Sequence, residues 1–63
     1  MERIAVDPKI CHGKPYIKGA RIAVHIILDL LSAGETVDTI LQIYPQITKD
    51  DILACVKYGV ALT

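Results

Sequence analysis

Cys11 and His12 are neighbours in the chain, and a thiol beside an imidazole is the pairing that a zinc site or a nucleophilic centre would use. A zinc site also needs further ligands at short spacing. The other His and Cys residues, His25 and Cys55, lie far along the chain, so no metal site and no cofactor is expected. A nucleophilic cysteine needs a base, a group to orient that base and an oxyanion site, and only His12 is at hand; no catalytic residue is assigned. Gly13-Lys14 superficially matches the end of a phosphate loop. The upstream glycine and the following Ser or Thr are missing, and Pro15 stands in their place.

The residues with a use are cationic. Lys14, Lys18 and Arg21 flank a turn from which they can project to meet phosphate or an acidic partner, and phosphate contacts supply most sequence-independent affinity for DNA. His25 and Asp29 are one helical turn apart and are read as a surface pair. Tyr44 and Tyr58 are read as core-edge residues with their hydroxyls toward water, Cys11 as a small loop hydrophobe and Cys55 as a core residue.

These side chains must be held by a small frame. In the first third, Asp7-Pro8, Gly13, Pro15 and Gly19 exclude a long helix. Arg3 to Val6 reads as a strand. Tyr16-Ile17 and Ala20-Arg21-Ile22 read as the arms of a hairpin turning at Lys18-Gly19, which needs something to pack on. From Val24 the period becomes helical, with Val24, Ile27, Leu28 and Leu31 on one stripe and Gly34 as the C-terminal cap. Thr36 caps a short second helix carrying Val37, Ile40 and Leu41, which Pro45 ends. Thr48 caps a third, with Asp50 and Asp51 against its positive end and Ile52, Cys55, Val56 and Val60 at helical spacing. Two helices joined by residues 45–48 and braced by a third have a helix-turn-helix outline. Asp50 and Asp51, however, would bring negative charge to the turn that usually meets base edges.

One domain is expected over residues 1–63, a β-hairpin and loop element over 1–23 followed by a three-helix bundle over 24–63. A chain of 63 residues has a marginal core. Helix one is apolar nearly all round, so a second burying surface is expected from another chain, most simply a homodimer. Ile17, Ile22, Ile26 and Leu30 are the expected dimer interface. Seven basic and seven acidic residues cancel, with five of the basic ones before position 22 and five of the acidic ones after it. The two cysteines are no disulfide framework, the N-terminus has no signal-peptide pattern and no apolar run is long enough to span a bilayer, so a cytoplasmic protein with no membrane partner is expected.

Asp7-Pro8, Gly13-Lys14-Pro15, the run from Ile17 to Val24, Leu30 to Gly34, Tyr44-Pro45, Ile47-Thr48, Asp51-Ile52 and Tyr58 together resemble the small bacterial and archaeal domain-of-unknown-function family four-three-three (DUF 433). That resemblance implies a short N-terminal β element, a homeodomain-like three-helix bundle and a dimer. It also implies an antitoxin-like role in a type II toxin-antitoxin pair, neutralising a PIN-like ribonuclease, with promoter DNA as a further partner. Ala20 and Ala23 depart from the Thr and Pro common in the family, and many relatives continue beyond the position of Thr63 with a polar tail. The competing readings are a DNA-binding regulator without a toxin and a structural homodimeric interaction module.

Overall fold

A computed structural model describes residues 3–61; the first two and last two positions of the domain expected over 1–63, Thr63 among them, lie outside the described residues. The chain is mostly helical with a small antiparallel sheet. Strands β1 (Ile4–Ala5), β2 (Tyr16–Ile17) and β3 (Ile22–Ala23) are followed by helices α1 (Val24–Ser32), α2 (Val37–Ile43) and α3 (Lys49–Ala61). In the sheet order β1-β2-β3, Ile17 is opposite Ile4 on one side and Ile22 on the other. Directly opposed residues share a face, so three isoleucines form one row. That row joins Val24, Ile27, Ile40, Ile47, Ile52 and Cys55 in a single core, which supplies the packing a hairpin of this size lacks alone.

The hairpin differs from its expected arms. Ala20 and Arg21 belong to the turn, and the second strand begins at Ile22. Gly19 has φ +82° and Arg21 has φ +55°, and the Arg21 N–H donates to the Ile17 carbonyl at 2.9 Å. A left-handed arginine cannot continue a strand.

Helix ends follow the residues that mark them. At the C-terminus of α1 the Gly34 N–H donates to the Leu31 carbonyl and the Glu35 N–H to the Leu30 carbonyl, with Gly34 at φ +93°. This crossed pair is a Schellman motif. Thr36 Oγ1 accepts from the Thr39 N–H at 3.2 Å and caps α2. The Thr48 N–H donates to Asp51 Oδ2 at 2.9 Å while Thr48 Oγ1 accepts from the Asp51 N–H at 3.3 Å, a capping box with aspartate in the glutamate position.

Helix α1 finds its second burying surface within its own chain, since α2, α3 and β3 all pack on it. That cover is partial, and Ile26, Leu28, Leu30 and Leu31 remain half-buried. Of the residues expected at a dimer interface, Ile17 and Ile22, at 0% and 7% exposure, lie in the core of the chain, which leaves little of either at the surface. Ile26 and Leu30 are half-buried and keep some surface.

Where α3 crosses α1 it carries Gly59, and a Cβ there would lie 3.0 Å from Leu28 Cδ1. Leu28 borders open clefts on two sides, so it has room to yield. A glycine inside a helix costs about 0.8–1 kcal/mol relative to alanine. Gly59→Ala is expected to raise the thermal midpoint by about 4 °C or more. Calorimetry checks it; a lowered midpoint would show that Leu28 is locked by its packing.

Candidate functional site: a cationic cleft beside the hairpin

Between Asp7 and Pro15 the chain folds into a tight loop. Asp7 Oδ1 accepts from the Lys9 N–H at 2.9 Å and the Asp7 carbonyl from the Ile10 N–H at 3.0 Å, the local bonding that favours aspartate before a turn. A left-handed turn follows through Cys11, His12 and Gly13, at φ +50°, +56° and +78°. It is closed by bonds from the Gly13 N–H to the Ile10 carbonyl and from the Lys14 N–H to the Cys11 carbonyl, both 3.0 Å. Left-handed backbone costs a residue with a Cβ about 1–2 kcal/mol. Cys11 Sγ donates to the Arg21 carbonyl at 3.4 Å, joining this loop to the hairpin turn.

Joined in this way, loop and hairpin form one wall of a cleft of about 310 Å³ whose lining includes His12, Lys14, Arg21 and His25, with Tyr44 at the end of α2. Its apolar surface comes from Ile22, Ala23 and Ile26, and among the described residues no carboxylate lines it. Asp29 stands outside, its Oδ2 3.8 Å from His25 Nδ1, with both side chains more than half exposed. Among the described residues, the three with a Cβ and a positive φ are Cys11, His12 and Arg21, and all three line this cleft. Backbone strain gathered at one place is a mark of ligand clamps and other functional sites.

Of the three cations singled out in the sequence, Lys14 and Arg21 meet at the cleft, while Lys18 lies on the hairpin turn outside it. His12 and His25 join them, as sequence separation alone gave no reason to expect. Cys11, His12 and His25 border the same space, yet among the described residues no three His, Cys, Asp or Glu side chains come together as a metal would require. Cys55 is fully buried; burial, helped by the nearby Asp51 carboxylate, pushes its thiol up to about 11 and keeps it protonated and unreactive.

Sequence reasoning missed the partner of the acidic start of α3. Arg3 Nη1 donates to Asp51 Oδ1 at 2.9 Å, and its Nη2 is 3.7 Å from Asp50 Oδ2, tying the edge strand to the third helix. The available signal was the lone arginine at the head of β1 against two adjacent aspartates. Burial raises the Asp51 carboxyl, but hydrogen bonds from Thr48 and from the Arg3 guanidinium outweigh it and hold the group below the usual aspartate value.

A second concave surface is apolar. Leu28, Leu31, Ser32, Val56, Gly59 and Val60 line a groove of about 480 Å³ between α1 and α3. On α3, Leu53, Val56 and Val60 repeat at helical spacing and are 46%, 37% and 68% exposed.

Fold and cleft together define a small, three-helix domain backed by a three-stranded sheet, with a strained cationic cleft at the junction of loop, hairpin and α2. The chain belongs to the family described as protein of unknown function (DUF433), whose profile matches residues 4–59. Comparison with curated proteins and with solved structures finds no match. No helix among the described residues is long and apolar enough to cross a membrane.

Proposed function

We propose that this chain is an antitoxin-like, cytoplasmic binding protein that does no chemistry itself, pairs with a second copy and neutralises a PIN-like ribonuclease by covering it. The observation that carries this reading is the aliphatic stripe of Leu53, Val56 and Val60 on α3, continuous with the α1–α3 groove. An apolar stripe beside an apolar groove suits a partner helix laid along it, the side chains anchoring at every turn. The ribonuclease is its occupant here, while Leu30 remains for pairing between copies.

A second reading has its own support. In a homeodomain-like helix-turn-helix, α2 and α3 flank the Pro45 to Thr48 turn, and Lys14, Lys18 and Arg21 would add phosphate contacts for a DNA-binding regulator. Arg3 lessens the charge penalty of Asp50 and Asp51 at the start of α3.

The test is an affinity pull-down from the cytosol of the native host, with and without nuclease treatment, using wild type and Leu53→Asp. A PIN-like ribonuclease that survives nuclease with wild type and is lost with Leu53→Asp is the expected result. Recovery of nucleic acid with no such protein overturns the proposal in favour of the regulator.

A further inference from the structure

The cationic cleft holds more than a carboxylate or a duplex phosphate would use. Its volume of about 310 Å³ is at the lower end of the range for small-molecule pockets, roughly 300–1,000 Å³. An acidic side chain would satisfy the cations and leave the half-buried Ile26 and Tyr44 ring in contact with water. The phosphates of a duplex would do the same, because paired bases stay inside the helix and cannot enter a concavity. What suits both halves of the lining is a group with a flat, largely apolar body and an anionic end.

A second cleft adjoins the first. It has a volume of about 170 Å³ and is lined by Lys14, Pro15, Val24, His25, Leu28 and Tyr58. Lys14 and His25 belong to both, so the two concavities share an edge that carries the Lys14 ammonium, and each has one tyrosine. Single-stranded nucleic acid repeats in this manner, base, phosphate, base, and proteins bind it by stacking bases on aromatic rings while cations follow the backbone.

We infer that the two adjoining clefts bind consecutive nucleotides of single-stranded nucleic acid, one base on Ile26 beside Tyr44, the next beside Tyr58, and the phosphates along Lys14, His25 and Arg21. His12, which also lines the larger cleft, adds a further donor for phosphate there. The strained Cys11–Gly13 turn sets that edge, and the Cys11 bond to the Arg21 carbonyl fixes the distance between loop and hairpin. The site goes beyond capture of a ribonuclease and is tested without one.

Arg21 offers a favourable variant. Because its φ is +55°, Arg21→Gly removes the guanidinium while relieving backbone strain, so lost binding cannot be put down to lost folding. The probe is fluorescein-labelled octauridylate, followed by anisotropy at fixed salt, with uridine 5′-monophosphate, an RNA duplex and an octaglutamate peptide as competitors. Octauridylate is expected to bind more tightly than duplex or peptide. Arg21→Gly is expected to weaken it about tenfold, Tyr44→Leu at least about fivefold through the loss of a stacked base, and Lys49→Gln, outside both clefts, less than about twofold. Uridine monophosphate competing as well as the oligomer would mean that a single nucleotide accounts for the binding and would overturn the occupation of both clefts by one strand. Duplex or peptide matching octauridylate, or unchanged affinity in Arg21→Gly and Tyr44→Leu, overturns the inference.

Discussion

Ile27→Ala is expected to leave the domain close to unfolded at room temperature. Ile27 is fully buried in α1 at the point where the sheet row of Ile4, Ile17 and Ile22 meets Ile40, Ile52 and Cys55. Truncating a buried isoleucine costs about 2–5 kcal/mol, part transfer free energy and part cavity. At about 0.05–0.15 kcal/mol per residue, a chain of 63 residues has only about 3–9 kcal/mol in total. No second layer of core stands behind this one to absorb the loss. Urea unfolding followed by circular dichroism should show the midpoint falling to near zero denaturant. Ile43→Ala, at an exposed position on α2, should shift by about 0.5 kcal/mol or less. Equal shifts in the two variants would mean that the core is not where the packing places it.

Asp51→Ala is expected to cost about 2–3 kcal/mol, because one carboxylate closes the capping box with Thr48 and accepts from Arg3 in a mostly buried position. Arg3→Ala should cost less, under about 1 kcal/mol, since its guanidinium is half exposed and screened by water. The same carboxylate sets a pH dependence. Its folded value is depressed relative to the unfolded chain, so its contribution is fully present above the unfolded aspartate value of about 3.9 and is lost as pH falls through the lower folded value. Wild type should therefore lose stability below about pH 4 more steeply than Asp51→Ala. Urea midpoints between neutral pH and pH 2 check this, and parallel curves would remove Asp51 from its assigned role.

The helices could be read from local chemistry because each boundary is decided within a few residues. Gly34, Thr36, Pro45 and Thr48 each act on backbone groups no more than five positions away. The β element was harder. Strands of two residues have no period, so the pairing of Ile4 with Ile17 rests on the core that gathers all three strands. Arg21 fits an extended arm by residue type and sits at φ +55° because the turn around Gly19 requires it, which residue type does not reveal.

Distance along the chain hid the rest. Arg3 and Asp51 are 48 residues apart, and their bond depends on where β1 meets the start of α3. His25 appeared as half of a helix-surface pair and Cys11-His12 as an isolated dipeptide, whereas the fold brings them to one cleft. For α1 the reasoning about girth was sound in kind, since a helix apolar on most sides is covered on most sides. Part of the cover comes from α2, α3 and β3, and the exposed aliphatic stripe lies on α3 at Leu53, Val56 and Val60.

Titrating the chain into the PIN-like ribonuclease proposed as its partner, while following cleavage of a single-stranded RNA, tests the proposed function most directly. Cleavage should fall to zero at a fixed stoichiometry, and Leu53→Asp should leave it running. Full cleavage in the presence of excess folded wild-type chain would contradict an antitoxin-like role.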